Sequence, residues 1–344
     1  MPSFRTAEVT TILEERPGLQ RVTVRMPDGS DARAYAVTEL TGDCAVGDHV
    51  VLNTTAVELS LGTGGWHVVH WNLARDEFRR PGPDHVMKLR YTSLQFDAGT
   101  SELDHPEVDR PLDGVPVIAC TVHSQVAMVA LGFAAAAPGR RLVYVMTDGA
   151  SLPLALSDLV VRLTDSRLLA GTVTAGHAFG GDLEAVSVPS ALGLAVHALD
   201  ADAVVVGMGP GVVGTGTALG TTAVEAAPVL DAALALGGTP VLCVRASDGD
   251  PRGRHRGVSH HTRTVAALTA ASPWVAPVPD DVTDLPGVRV ADPVEIPDPS
   301  GLLAAAGLTV TTMGRGPDQD PMFFRAAVAA GSLAARMLVP HPTG

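Results

Sequence analysis

The sequence predicts an α/β protein: a doubly wound, largely parallel sheet preceded by a small all-β barrel-like domain. Three observations carry this. Alternation of period two, broken by close-set turns, fills residues 1–75. Residues 76–113 are rich in charge and proline and read as a connector. Over residues 114–344 short apolar runs alternate with helical stretches. The domain boundary is expected in the connector, near residue 110.

In the first segment, alternation runs through residues 8–13 and again at Val22, Val24 and Met26, with turn pairs at Pro17-Gly18 and Asp28-Gly29. Further strands are expected at 32–37, 50–53, 57–61 and 66–71, with breaks at Gly42, Gly47 and Gly62 to Gly65. Six short strands at this spacing suggest a closed barrel or a sandwich. The connector carries one expected strand, 87–91.

Beyond it, apolar runs at 115–121, 142–147, 169–175, 203–208, 240–244 and 308–313 lack internal charge. Such runs suit strands covered on both faces. Helices are expected at 124–136, 152–163, 189–199, 219–236, 260–271 and 322–337. Ser124, Ser151 and Ser259 stand at N-cap positions, and Asp320-Pro321 pairs a cap with proline at the first helical position. Seven prolines between Pro273 and Pro299 mark an irregular excursion before the last run.

Composition narrows the function classes. The 344 residues carry a formal charge of -13, which opposes coating of nucleic acid or an anionic membrane. The barrel segment has six Arg against nine Asp and Glu, so no basic funnel for single strands is present there. Lys88 is the only lysine. Cys44, Cys120 and Cys243 lie far apart and form no CxxC pair, which points to a reducing, cytoplasmic setting. No secretory h-region or membrane span is visible. The expected partner is a small anionic ligand, and self-association into a homo-oligomer is left open.

In an open α/β sheet, ligands bind beyond the carboxyl ends of the strands. Just past the expected strands stand His123, Asp148, then His177 with Asp182 and Glu184, the glycine loop 207–216, the segment 248–261, and Arg315 with Asp318. The glycine loop, with Gly207, Gly209, Gly211 and Gly214, contains a literal GxGxxG from Gly209 to Gly214. It suits an anion cradled by backbone N–H groups at a helix start, or else a turn that packs helix on strand tightly. Pro210 removes one donor, and the acidic residue of a dinucleotide unit falls too far along, so NAD or flavin is not expected.

Residues 252–261 hold three arginines and three histidines with no acidic residue. Arg254 and Arg256 suit a phosphate or carboxylate, and His260 and His261 at a helix start suit neutral general bases. The bland alternative is a solvated basic arm or a subunit contact. His177 and Asp182 offer a base with its orienting carboxylate, or ligands for a divalent metal, although no standard zinc spacing is present. Turn closure by His177 is the alternative. Asp148 reads equally as a catalytic carboxylate or an Asx turn.

Thr147 to Ala150, Gly176-His177 through Glu184, Gly207 to Gly211 and Arg254 to Thr262 together resemble a bacterial family known only as a domain of unknown function. The resemblance runs through nearly the whole chain and brings no activity, substrate or site residue with it. From the residues alone, the expected function is a hydrolase or group transferase acting on a small anionic metabolite at the carboxyl edge of the sheet. A non-catalytic sensor or assembly protein that binds a nucleotide or other anion is the alternative.

Overall fold

Period-two alternation closes the first segment into a barrel. In the computed structural model, which describes residues 1–61 and 64–338, strands β1 (Phe4–Arg16), β2 (Leu19–Arg25), β3 (Asp31–Val37), β4 (His49–Asn53) and β5 (Trp66–Asn72) close in the order β1-β2-β3-β5-β4. β3 pairs parallel with β5 and the remaining pairs are antiparallel. Val9, Val22, Val24, Ala34, Val50, Leu52 and Val69 turn inward to make the barrel's own core.

The strand expected at 57–61 is absent. Thr55–Glu58 forms a single helical turn, α2, because the Glu58 carboxylate reaches back to accept from the hydroxyls of Thr54 and Ser3. A similar turn, α1 (Thr38–Thr41), follows β3. Of the break expected at Gly62 to Gly65, Gly62 lies outside the described residues, while Gly64 and Gly65 take left-handed φ of 65° and 78°. In the connector, β6 (Met87–Lys88) pairs with β7 (Phe96–Asp97). The strand expected to reach Tyr91 stops at Lys88 because Leu89 and Tyr91 adopt φ of 52° and 62°.

The chain divides into two compact units, Met1–Gly99 and Thr100–Gly344. Residues 101–109, read as connector in the sequence, make their contacts in the second unit. The Ser101 hydroxyl and the Glu102 carboxylate accept the backbone N–H groups of Glu184 and Val186.

The second unit is built on an eight-stranded parallel sheet. Its strands are β8 (Pro116–Ala119), β9 (Leu142–Thr147), β10 (Gly171–Ala175), β11 (Leu183–Ala185), β12 (Ala203–Met208), β13 (Thr239–Leu242), β16 (Trp274–Val275) and β17 (Arg289–Val290). Their order is β11-β10-β9-β12-β8-β13-β16-β17. A separate antiparallel pair, β14 (Ala246–Ser247) with β15 (Gly257–Val258), follows β13.

Both faces are covered, and alternate side chains of each strand feed different cores. Ile118, Tyr144 and Val205 pack with α3 (Ser124–Ala136), α4 (Asp158–Asp165), α8 (Pro299–Ala306) and α9 (Pro321–Arg336). Val117, Val145 and Val206 pack with α5 (Val188–His197), α6 (Ala226–Ala235) and α7 (His260–Leu268).

Three expectations for this unit need correction. The run 308–313 is not a strand. Leu308, Val310 and Thr312 are buried and Thr309, Thr311 and Met313 exposed, so the segment is extended, yet its only bridge is Thr312 to Arg315. Its alternation reflects covering the core with α3 and α9, while β16 and β17, from the proline-rich excursion, take the sheet edge. Helix α4 begins at Asp158, capped by Ser157 rather than Ser151, since Leu152 and Leu154 first bond to Phe179. Helix α8 was not foreseen, although Asp298 caps it and Pro299 opens it.

Helices α3 and α9 approach through glycine. A Cβ on Gly132 would lie 2.3 Å from the Val328 carbonyl oxygen, and one on Gly331 would lie 2.1 Å from that of Val129. Backbone cannot yield as a side-chain tip does. Gly331→Ala is therefore expected to destabilise by about 1–3 kcal/mol through overpacking, despite the gain of up to about 1 kcal/mol in helix propensity. A denaturant midpoint at or above wild type would refute this close approach.

Candidate functional site

β8 and β12 are neighbours whose chains leave in opposite directions. From β8 the chain passes through α3, on one face, to β9; from β12 it passes through α6, on the other face, to β13. This is the topological switch point, where an open α/β sheet leaves a crevice.

A cavity of about 410 Å³ occupies it, lined by His123 and Ser124 after β8, Pro210, Gly211 and Val212 after β12, Arg162 of α4, Arg245 after β13 and the extended segment 309–313. A narrower cavity of about 120 Å³ adjoins it and shares Val212, Arg245 and Met313 as walls. Its other walls include Gly214, Gly216, Arg252, Arg254, His255, His260 and His261.

Arg245 stands between the two cavities and is 4% exposed. Its backbone is pinned on both sides: its N–H donates to the Thr262 hydroxyl, and its carbonyl accepts the N–H of Ser259. The guanidinium donates to His261 Nδ1 at 2.7 Å. Among the described residues no carboxylate forms an ion pair with it. Its neighbours differ. Arg252 is held by Asp250 through Nε and Nη2, and Arg315 by Asp250 and Asp320. Burial and then the charge of Arg252 push the Arg245 guanidinium down to about 10, so it stays cationic at neutral pH. Arg254 is exposed on the narrow cavity and makes no ion pair among the described residues; its guanidinium lies over Gly216.

The three imidazoles of His255, His260 and His261 cluster with ring centroids 4.4–5.1 Å apart, their planes tilted or edge-on to one another. A guanidinium only donates, so His261 Nδ1 accepts and the ring proton of the neutral form sits on Nε2. His255 Nδ1 is 2.8 Å from the Ser259 hydroxyl, the N-cap of α7. His260 Nε2 is buried without a hydrogen-bond partner. Burial first, then the charge of Arg245, pushes both His255 and His261 down to about 3. His260 is lowered too, by burial and then Arg254. All three rings are neutral at pH 7, as the sequence suggests for His260 and His261, but burial rather than the helix dipole is the main cause.

Donor atoms of the three rings lie within 4.8 Å of one another, a spacing that invites a metal ion. The surroundings do not fit one. His261 has one nitrogen occupied by Arg245 and the other carrying a proton, and a guanidinium 2.7 Å away repels a cation. The arrangement presents N–H donors and positive charge, which is the requirement for holding an oxyanion.

The glycine loop divides in two. Gly207 and Gly209 are packing positions: a Cβ would meet Cys120 Cβ at 3.2 Å and the Ser151 carbonyl oxygen at 2.6 Å, respectively. Gly211, with φ of 111°, lines the wide cavity and Gly214 the narrow one. No helix starts directly after the loop. Gly214 bridges to Thr221, and the chain first turns helical at Thr222–Glu225, so the expected helix dipole does not face the loop.

The remaining sequence candidates lie elsewhere. β10, which leads to His177, is four strand positions from β13, which leads to Arg245, roughly 19 Å at the usual spacing. Asp148 Oδ2 accepts the backbone N–H of His177, and Asp182 Oδ2 accepts both the N–H and the hydroxyl of Thr172. Each carboxylate ties one stretch of backbone to another distant in sequence, and neither Asp148, Asp182 nor His177 lines the two cavities. Arg256 also points away, donating through Nε to the Asp250 carbonyl.

Sequence reasoning passed over Arg245, which reads as the end of an apolar strand, and His255, which reads as part of a basic run. His123 stands past an expected strand, where nothing in the sequence sets it apart. His123 Nδ1 donates to the Met208 carbonyl at 3.0 Å and Nε2 accepts from the Ser157 hydroxyl at 2.7 Å, tying three crevice loops together. Burial pushes it down to about 4. Glu225, pushed up to about 7 by burial, accepts from the Thr147 hydroxyl beside a separate open cavity of about 450 Å³. A lone glutamate at a helix start gives no sequence signal for this.

A family model described as protein of unknown function (DUF3866) matches residues 33–331, and the chain belongs to that family. No curated protein and no solved structure matches it. Among the described residues no helix is long and apolar enough to cross a membrane.

Proposed function

We propose that this DUF3866 protein is a hydrolase or group transferase that binds a small anionic metabolite in the crevice between β8 and β12. The observation that carries this is Arg245, a buried guanidinium on the wall of both cavities with no carboxylate in ion-pair contact among the described residues. Asp250 and Asp320 support its charge only from beyond ion-pair range, against the opposing charges of Arg252 and Arg315, so an anionic ligand is its natural direct counter-charge. Arg254 supplies a second cation. His261 Nε2–H donates to the anion, and the neutral His260 ring, which lines the narrow cavity, takes or returns a proton. A cytoplasmic setting belongs to the same proposal, in keeping with three buried free thiols.

The test combines thermal shift with turnover. Inorganic phosphate is expected to stabilise the wild type, and Arg254→Ala to weaken that binding about tenfold, one lost charge-assisted bond. Arg256→Ala is expected to leave it within about twofold, since its guanidinium bonds elsewhere. Equal losses from both variants would return the segment to a solvated basic arm. Binding without turnover of a phosphate-ester panel would favour the sensor reading.

A further inference from the structure

The two cavities differ in character, and the difference identifies a ligand class. Resting on the anion site proposed above, we infer that the ligand is an organic phosphate monoester. Its phosphoryl head enters the narrow histidine–arginine cavity and its apolar body fills the wide one.

The head follows from volume and charge. About 120 Å³ admits one tetrahedral oxyanion and little else. Two guanidiniums on its wall, Arg245 and Arg254, have no carboxylate in ion-pair contact among the described residues, and a phosphate monoester carries a charge of about −2 at neutral pH. A carboxylate would leave one cation uncompensated. Three phosphoryl oxygens also match donors arriving from separate elements: the Arg245 fork after β13, Arg254 of the basic segment and the His261 Nε2–H on α7.

The body follows from the other lobe. Val122, Leu159, Val212 and Val310 make its apolar walls, with His123 and the threonines at 309, 311 and 312 between them. A cavity of about 410 Å³ matches a ring-sized organic group. Met313, 59% exposed and shared by both cavities, covers the junction where the ester oxygen would lie.

Calorimetry on the full chain with inorganic phosphate, phenyl phosphate, benzoate and phenol tests this. Phenyl phosphate is expected to bind about tenfold or more tightly than inorganic phosphate, from burial of the ring. It should exceed benzoate by a similar factor, with phenol undetected. Thr311→Trp, an exposed position on the wide cavity, should reduce the advantage of phenyl phosphate over phosphate to less than about threefold. If phosphate binds and phenyl phosphate binds no better, the two-lobed ligand is wrong while the anion site stands. If benzoate equals phenyl phosphate, the phosphoryl assignment falls. If no anion binds at all, the anion site itself falls.

Discussion

Acidification from pH 7 to pH 5 is expected to cost the ligand-free protein several kcal/mol of folding stability. His255 and His261 are held near 3 and His123 near 4, against about 6.5 in an unfolded chain. Folded, these rings stay neutral throughout this range; unfolded, they take up protons below 6.5. The unfolded state therefore binds more protons, and stability falls as pH drops from about 6.5 toward the folded values. By pH 5 the loss is about 2 kcal/mol for each histidine. Glu225 works in the opposite sense. Raised to about 7, it protonates in the folded state first, so acidification through pH 7 favours folding and offsets about one histidine's share. Denaturant unfolding at pH 7, 6 and 5 measures the net slope, and Glu225→Gln should steepen it. A flat profile in both proteins would mean that the histidines are not buried neutral in solution.

The fold was legible because strand burial on two faces writes itself plainly into composition. Runs 142–147 and 203–208 coincide with β9 and β12, and 124–136 with α3. The misreadings share one physical cause: alternation reports which side chains are buried, not which backbone groups are paired. Residues 308–313 alternate because they cover a core, and no neighbouring strand receives their N–H groups. Conversely β16 and β17 are two residues each, too short for periodicity, and are held by pairing with Val241 and with each other.

The site was half legible. The density of Arg and His over 252–261 marked the narrow cavity, and the glycine loop marked the wall between it and the wide one. Convergence was overestimated because the strand-end rule is blind to strand order. His177 follows β10, which lies beyond β9 and β12 from the switch point, and Asp148, although it follows β9, turns its carboxylate to the His177 backbone. The choice among cations was also hidden. Arg252, Arg254 and Arg256 look alike in sequence; in the fold Asp250 takes Arg252 by its carboxylate and Arg256 by its carbonyl, leaving Arg254. Arg245 gains its role from burial, which a single charged residue after an apolar run does not announce.

Arg245→Met is expected to separate stability from binding. In an ordinary buried ion pair, removing one partner strands the other charge and costs about 3–5 kcal/mol. Arg245 has no carboxylate to strand. Its removal deletes one hydrogen bond to His261 Nδ1, and the repulsion it relieves from Arg252 and Arg315 offsets the attraction it loses to Asp250 and Asp320, so ligand-free stability should change by less than about 2 kcal/mol. Anion binding should fall about a hundredfold or more, since a desolvated two-pronged charge contact disappears. Stabilisation by excess phosphate, about 2.7 kcal/mol at a hundred times the dissociation constant, would then fall to about 0.4 kcal/mol or less at the same concentration. Arg245→Lys keeps the charge without the planar fork and should fall between the two. The His261 ring supplies an independent readout, because losing the adjacent cation raises its titration toward the ordinary range, visible by NMR. A variant that unfolds while phosphate protects the wild type no better than chloride does would make Arg245 a structural residue. A variant as stable as wild type that ignores phosphate would identify it as the counter-charge of the ligand.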